Sequence, residues 1–326
     1  MQLPGTPPAR QTRLRWQIAF FTLFTLAPVF NIFRFDLYDG HAWVLGLPWR
    51  LGIEDFLAGR ISGLEAGLNI LLRLFLPLIA SAVIFIAAAW RWGRFYCGWL
   101  CPHFSAVELI NGLMRRASGK PSIWEKQPLT ACKPDGSPRV QDKRWWLGTV
   151  FFAITFAFVW AVVLLTYLLP PSEIYGNLWH LTLTPNQARF IGVGTLVLTM
   201  EFLFARHLFC RFGCAVGLFQ SLAWMANRGA LVVSFARDRA VDCSKCQEIG
   251  QRNGNPAYAA CETECPMRLR PRQAKRKMFA CTQCSQCLSA CNTVQQAQGN
   301  QPLLRWVEKE AAKQNEAQVS LTGRKD

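Results

Sequence analysis

Long uncharged apolar stretches constrain this chain more than any other feature. The longest, Trp145–Leu169, contains no charged residue and exceeds the roughly 20 apolar residues that a helix needs to cross a bilayer. Three further stretches approach that length: Trp16–Phe33, Ala66–Trp90 and Phe190–Phe209. One such stretch could be a buried core helix of a soluble protein, but four of them predict an α-helical membrane bundle of about four transmembrane helices.

The basic residues predict how these spans are oriented. Most of the 36 Lys and Arg residues lie before the first span, between the second and third, or after the fourth, and Lys and Arg are retained on the cytoplasmic side of a membrane. Both termini are therefore predicted to be cytoplasmic, with Arg34–Glu65 and Pro170–Arg189 as external loops. No small-residue cleavage site follows Phe33, so the first stretch is interpreted as a retained span.

The same arrangement explains the formal net charge of +16. A strongly basic chain could bind nucleic acid, but no motif of a nucleic-acid-binding protein is visible. Basic loops near anionic lipid head groups account for the charge more simply. We therefore expect the membrane, and no nucleic acid, as a partner.

The 13 cysteines are the second constraint. Cys281, Cys284, Cys287 and Cys291 have the spacing C-x2-C-x2-C-x3-C, in which bacterial ferredoxins wrap closely spaced thiolates around one cubane while the fourth cysteine binds the neighbouring cluster. A zinc site would need two CxxC pairs farther apart. This motif therefore predicts iron–sulfur binding.

A second group upstream resembles the same motif with a 14-residue insertion, 247–260, between its second and third cysteines. Cross-ligation then predicts two 4Fe–4S clusters. Cluster one would be held by Cys243, Cys246, Cys261 and Cys291. Cluster two would be held by Cys265, Cys281, Cys284 and Cys287. The insertion leaves an alternative for this upstream group of cysteines: a zinc knuckle, with the remaining thiols unused.

Two C-x3-C pairs, Cys97/Cys101 and Cys210/Cys214, follow the second and fourth apolar stretches. Residues i and i+4 of a helix share a face, so each pair is predicted to present two sulfurs in one direction. Four converging thiolates would make a soft site for Cu(I) or for a further iron–sulfur centre. Cys132, alone in a proline-containing loop, is expected to be a free thiol in a reducing compartment.

Two further features have open alternatives. Glu201 is a carboxylate within the fourth stretch, and intramembrane carboxylates are candidate functional residues; the alternative is that Glu201 reaches water or pairs with Arg206. The segment 102–118 is apolar with a basic end. It is predicted to be an amphipathic helix on the membrane surface or a cytoplasmic extension of the bundle.

These patterns divide the chain into three predicted parts: a transmembrane domain at 1–236, a small α+β ferredoxin-like domain with two 4Fe–4S clusters at 237–300, and a charged, helix-prone tail at 301–326. GRFYCGWLCP at 93–102, FCRFGC at 209–214 and the paired ferredoxin motifs occur in the order typical of the membrane-bound polyferredoxins. This family includes CcoG (also called FixG or RdxA), NapH and the core of NosR, and the sequence resembles it over roughly 16–295.

The segments Phe33–Asp36 and Phe219–Ser221 look most like CcoG, whereas Ala215 and Asn292 stand where the family usually has proline. The resemblance implies a bacterial inner-membrane protein. CcoG is associated with reducing Cu(II) to Cu(I) during assembly of cbb3-type cytochrome oxidase, which implies copper at the C-x3-C pairs and oxidase assembly factors as partners. NapH passes electrons from quinol towards a reductase, and Glu201 motivates that alternative.

A third hypothesis is a non-catalytic assembly factor that only holds metal on the C-x3-C pairs. Under all three hypotheses the redox donor and acceptor are unidentified, whether they are proteins or quinol. The leading prediction is a membrane-anchored iron–sulfur electron-transfer protein that reduces copper.

Overall fold

The computed structural model describes residues 8–120, 123–124, 129, 132–243 and 259–322. The chain forms two compact units. Ala19–Ala87 and Phe152–Phe202 make up one unit, called here the apolar unit. Met1–Ile18, Ala88–Phe151 and Leu203–Asp326 make up the other, called the cysteine unit because every described cysteine lies in it. These units do not follow the predicted boundaries after residues 236 and 300, because each unit is built from segments distant in sequence.

The described residues form thirteen α-helices and five strands. The helices are α1 Pro8–Leu26, α2 Ile53–Leu57, α3 Gly63–Ile70, α4 Leu76–Trp92, α5 Phe95–Trp99, α6 Pro102–Ser118, α7 Trp145–Thr166, α8 Pro171–Trp179, α9 Pro185–Met200, α10 Ala215–Ala226, α11 Ala260–Thr263, α12 Gln286–Gln296 and α13 Lys309–Thr322. The strands are β1 Phe33–Asp36, β2 His41–Val44, β3 Leu47–Trp49, β4 Val232–Phe235 and β5 Leu304–Val307. Helical turns of π type lie at Leu71–Phe75, Glu201–Ala205 and Phe209–Gly213, and 3-10 turns lie at Arg237–Cys243 and Lys275–Met278.

Three helical segments among the described residues are long and apolar enough to cross a membrane. They are Gly63–Trp92, Trp145–Thr166 and Pro185–Ala205, and they coincide with three of the predicted spans. None of the most apolar stretch of Gly63–Trp92 is buried in protein (0%). Such an outward-facing apolar surface is what lipid would cover.

Two of these spans begin at capping boxes. The Ser62 hydroxyl accepts the backbone N–H of Glu65, and the Glu65 carboxylate accepts the backbone N–H of Ser62. Thr184 and Gln187 make the same reciprocal pair at the start of α9, where Pro185 occupies the first helical position. These contacts satisfy backbone donors that would otherwise lack intrahelical partners, so they determine where each span starts.

The first predicted span, Trp16–Phe33, differs from the structure. Helix α1 starts earlier, contains three arginines and ends at Leu26. Proline disfavours the helical conformation of the residue before it, and Pro28 lies just beyond that end, in a turn that leads to β1. Helix α1 is not among the three membrane-length apolar helices of the described residues, so a four-span bundle remains a prediction.

The apolar unit contains a small sheet where an external loop was predicted from Arg34 to Glu65. Strands β1, β2 and β3 form an antiparallel meander in that order. Arg34 Nη1 makes a buried ion pair with Asp36 Oδ2 at 2.7 Å. The Phe35 N–H donates to the Tyr167 carbonyl oxygen at 2.9 Å, so the edge strand β1 finds a partner in the residues after α7.

Helix α6 spans Pro102–Ser118, so the predicted helix at 102–118 is present. Its apolar face does not lie on a membrane surface. Phe104, Val107, Ile110 and Met114 recur at helical spacing and are almost fully buried within the cysteine unit. Burial of this face against protein removes the apolar surface that would have entered a bilayer. The membrane-surface interpretation is therefore wrong.

The predicted tail after residue 300 is part of the same core. Strand β5 pairs antiparallel with β4, and Leu304 and Trp306 are buried on one side of it. Helix α13 begins only at Lys309. The segment thus begins with a strand where a helix was predicted, because alternate apolar residues of 304–307 face the core.

Candidate iron–sulfur sites

The four cysteines of predicted cluster two line one cavity. Its other walls include Met267, Leu269, Met278 and Trp306. The chain bends around it because Gln283 and Ser285 have positive φ angles of 47° and 63°. The four thiols are Cys265, Cys281, Cys284 and Cys287.

Burial sets the ionisation of these thiols. It raises the pKa of Cys265 to about 12, and the neighbouring Cys284 raises it further, against backbone N–H groups of residues 267–269 that lower it. One of these, the Leu269 N–H, donates to Cys265 Sγ at 3.4 Å. Such hydrogen bonds to sulfur tune the potential of an iron–sulfur cluster. The thiols stay neutral until a bound metal compensates their charge.

Three cysteines of predicted cluster one line a second cavity. They are Cys243, Cys261 and Cys291. Arg272 Nη1 approaches Cys243 Sγ at 3.6 Å, while Arg272 Nη2 binds Glu262 Oε1 at 2.7 Å. The fourth predicted ligand, Cys246, and most of the 247–260 insertion lie outside the described residues. We refer to the two cavities as the cluster-one and cluster-two cavities.

The donor sets of both cavities suit iron–sulfur clusters. The thiols are spread around largely apolar walls, with no carboxylate among the lining residues. This arrangement matches the thiolate ligation of iron–sulfur clusters. The cavities therefore fit the predicted cofactor.

The C-x3-C pairs do not each lie on one helix, which corrects the prediction. Cys97 lies in α5, but Cys101 is the N-cap of α6. Cys210 lies in the π turn, and Cys214 is the N-cap of α10. Pro102 disfavours a helical conformation at Cys101, whose ψ is 116°. Each pair therefore spans a break between two helical elements.

The structure nevertheless brings the pairs together, and this four-thiol group is called here the pair site. Burial raises the pKa of Cys97 to about 12; Arg94 opposes this rise, and the neighbouring thiols Cys101 and Cys214 add to it. Arg94 is 1% exposed and donates from Nη2 to the Cys210 carbonyl oxygen. Cys97 Sγ donates to Gln220 Oε1 at 3.1 Å. A buried guanidinium thus lies beside the thiols of the first pair and binds the backbone of the second.

The pair site adjoins the cluster-two loop. The Trp99 indole N–H donates to the Gln283 carbonyl oxygen at 3.0 Å. Gly98 lies against the Thr282 carbonyl with no space for a Cβ, and the Gly98 carbonyl accepts Arg13 Nε at 2.7 Å. The backbone between Cys97 and Cys101 therefore contacts the backbone between Cys281 and Cys284.

The remaining predicted residues lie elsewhere. Glu201 is partly buried, at the start of the π turn that ends the third membrane-length helix, in the apolar unit. Arg206 Nη1 binds Asn111 Oδ1 at 3.2 Å. Cys132 lies in an isolated bridge with Pro138. The twelve described cysteines form no disulfide.

Sequence reasoning missed Arg94 and the close approach of Gly98. Arg94 stands three residues before Cys97, so the motif itself contained the signal for a cation beside the thiols. Gly98 lies inside the C-x3-C pair, where a glycine can mark a close backbone approach. Neither signal identifies its partner, because both partners are far away in sequence.

Comparison with known proteins supports iron–sulfur binding. The sequence profile of a 4Fe-4S binding domain matches residues 74–121 and 185–233, the two regions that contain the C-x3-C pairs. The chain is 23% identical over 249 residues to the Escherichia coli protein named "Putative electron transport protein YccM", covering 74% of this chain and 61% of that protein. The chain thus spans about three fifths of the length of YccM.

An uncharacterised protein of Methanocaldococcus jannaschii is 23% identical over 215 residues, covering 66% of this chain and 75% of that protein. No solved structure matches. The cavities, the domain matches and the similarity to YccM support an iron–sulfur protein that functions in electron transfer, and the three apolar helices indicate membrane association. The comparisons support iron–sulfur clusters as cofactors; they do not support copper or distinguish a CcoG-like from a NapH-like protein.

Proposed function

We propose that this membrane protein moves electrons among three thiolate-bound centres, with two 4Fe–4S clusters in the cluster-one and cluster-two cavities and a third centre at the pair site. The contact of Gly98 with Thr282 carries this proposal, because it joins the backbone segments that bear the ligands of two centres. The clusters, when bound, supply one-electron chemistry, while the protein supplies ligands, orientation and hydrogen bonds to sulfur.

The ligand assignment follows from the cavity walls. Cluster two would take its four lining thiols, and cluster one would take Cys243, Cys246, Cys261 and Cys291, three of which line its cavity. Arg272 would place a positive charge beside Cys243 and so stabilise its thiolate. A zinc knuckle at the upstream group remains the competing proposal, and metal analysis separates the two.

At the pair site, an iron–sulfur centre is the first candidate, because the 4Fe-4S binding domain profile matches both regions that supply the thiols. Copper reduction for oxidase assembly is the second candidate. Buried thiolates favour Cu(I) over Cu(II), and Cys97 has the thiols Cys101 and Cys214 as neighbours. In this version one electron from the clusters converts one Cu(II) to one Cu(I).

Anaerobic purification with metal analysis tests these proposals. Two 4Fe–4S clusters require about eight iron atoms per chain, and a third would raise the count to about twelve. If the iron count is about eight and the reduced protein converts added Cu(II) to Cu(I), the copper proposal is supported. A colourless protein that holds only zinc would contradict all iron–sulfur assignments. A protein that binds copper without oxidising its clusters would instead be a metal-holding assembly factor.

Quinol oxidation is a further candidate because Glu201 lies in a π turn, a feature that is frequent at functional sites. A carboxylate there could accept a proton released by quinol. Electron transfer from a quinol analogue to the clusters, lost in Glu201→Gln but retained in Glu173→Gln, would support it. Equal rates in the two variants would exclude a role for Glu201.

We also propose a four-span topology in a bacterial inner membrane with both termini cytoplasmic. Arg13 and Gln17 near the start of α1 contact Gly98 and Glu108 of the cysteine unit, so both belong to the unit that also contains the end of the chain. Reporter fusions at the two ends test the topology. Reporters on opposite sides of the membrane would indicate three spans.

A further inference from the structure

The cysteine unit contains a large cavity that none of the roles above uses. Its volume is about 690 Å³, which lies within the range of small-molecule binding pockets. Helix α6 provides one wall, and residues 133–135 with Arg139 provide another. The start of α12 completes it, and Cys284, a proposed ligand of cluster two, also lines it. We call it the arginine cavity.

Its lining has a surplus of positive charge. The five cationic residues are Arg13, Arg115, Arg116, Lys133 and Arg139. The three carboxylates are Glu108, Asp135 and Glu264. All three carboxylates already have donors. Glu108 is bound by Arg13, at 3.1 Å between Nη1 and Oε1. Glu264 is bound by Arg139, and Asp135 accepts the backbone N–H of Ser137 at 2.9 Å.

Two buried nitrogens of the lining have no hydrogen-bond partner among the described residues. These are Arg115 Nε and His207 Nδ1. Glu264 Oε2 is 3.7 Å from Arg115 Nη1, and the other oxygen of the same carboxylate, Oε1, is bound by Arg139. A buried donor that lacks a partner destabilises the protein, so the arrangement around Arg115 points to a missing acceptor.

We propose that the arginine cavity binds a phosphate-bearing anion, with Arg115 as its central contact and Lys133 as a second cationic contact. A guanidinium presents paired N–H donors that match phosphate oxygens, and a charged acceptor would satisfy Nε and offset the surplus charge together. The phosphate could belong to a nucleotide or to a lipid head group, which share this chemistry. The inference goes beyond the proposed electron transfer, because anion binding does not require that the clusters be reduced.

Isothermal titration calorimetry on the full, iron-loaded chain in detergent tests the proposal, with inorganic pyrophosphate as the probe. We expect saturable binding that weakens as salt is added and that falls at least about tenfold in Arg115→Gln, because a charge-assisted contact is lost. Arg60→Gln is the matched control, since Arg60 is 64% exposed and pairs with Asp55 in the apolar unit; its affinity should equal that of the wild type. Absence of binding, or equal affinity in Arg115→Gln, would overturn the proposal.

Two further probes identify the source of the phosphate. Flavin mononucleotide, as the nucleotide, and dihexanoyl phosphatidylglycerol, as the lipid, are titrated separately. The source of the phosphate is the class of the probe that binds more tightly and loses affinity in Arg115→Gln. Iron content is measured for each variant to monitor folding. If Arg115→Gln loses iron, Lys133→Gln replaces it; we then expect a several-fold loss of pyrophosphate affinity, and an unchanged affinity would overturn the proposal.

Discussion

Gly98 lies directly against the carbonyl oxygen of Thr282, with no space between them for a side chain. This contact brings the backbone of a C-x3-C pair onto the backbone of the ferredoxin-type loop. Because the opposing atom belongs to the backbone, it cannot move aside as a flexible side chain would. The contact therefore makes a sharp prediction about substitution.

Gly98→Ala should separate the two segments. We expect a loss of roughly 1–3 kcal/mol in the free energy of unfolding, typical of an overpacked core, together with loss of iron from the cluster-two cavity. Gly112→Ala is the control, because Gly112 is an exposed helical glycine with open space where a Cβ would stand, and it should be stabilising by about 0.5–1 kcal/mol. Thermal unfolding and iron analysis measure both effects. Equal stability of the Gly98→Ala and Gly112→Ala proteins would contradict the contact.

Cys287→Ser should remove one proposed ligand of cluster two. Since Cys287 lines that cavity and is buried, we expect a loss of about four iron atoms per chain and of one reducible EPR signal. Cys132→Ser is the matched control, because Cys132 lies outside both cavities and the pair site, and its iron content should not change. Loss of iron in the control, or full iron in Cys287→Ser, would refute the assignment.

Arg94→Gln should lower the reduction potential of the centre at the pair site. Reduction adds negative charge, which the buried guanidinium beside Cys97 stabilises. We expect the potential to become more negative by on the order of 50 mV, which corresponds to a change of about tenfold in the equilibrium constant for one-electron reduction. Arg91→Gln, at a residue half exposed and paired with Glu308, should leave the potential unchanged. An EPR-monitored redox titration compares the two, and an equal potential would exclude a charge effect of Arg94.

Lys275 should make stability depend on alkaline pH. Burial lowers its pKa from 10.5 to about 8, and Glu316 only partly opposes this; its ammonium group donates to the Trp224 carbonyl oxygen at 2.8 Å. Between about pH 8 and 10.5 the unfolded chain binds more protons at this position than the folded chain, so the free energy of unfolding rises with pH there.

Lys275→Met should remove this contribution, whereas Lys277→Met, at an exposed neighbour, should retain it. The measurement is the difference in Tm between pH 7.5 and pH 10 for each protein. Parallel pH dependence of Lys275→Met and the wild type would show that Lys275 keeps its ordinary pKa.

Much of the local structure could be predicted from the sequence. Three membrane-length helices coincide with predicted apolar stretches, because a span depends mainly on its own composition. Seven of the eight predicted cluster ligands line two cavities, since short C-x2-C spacers leave few ways to arrange the sulfurs; their role as ligands stays a prediction. The first helix ends at Leu26, earlier than its apolar stretch predicts, because Pro28 disfavours a helical conformation of the residue before it.

Tertiary structure decided which segments distant in sequence contact one another. Residues 304–307 form a strand because β4 offers a pairing partner more than 60 residues earlier, which no local pattern reveals. Arg94 becomes a buried cation because the two C-x3-C pairs converge around it, and the arginine cavity exists because α6 and the 133–139 segment meet the start of α12. The sequence alone determined residue types and local spacing, and thus the chemistry of the thiol ligands and the apolar spans. Only long-range packing determined their mutual positions, because contacts between distant segments depend on the whole fold.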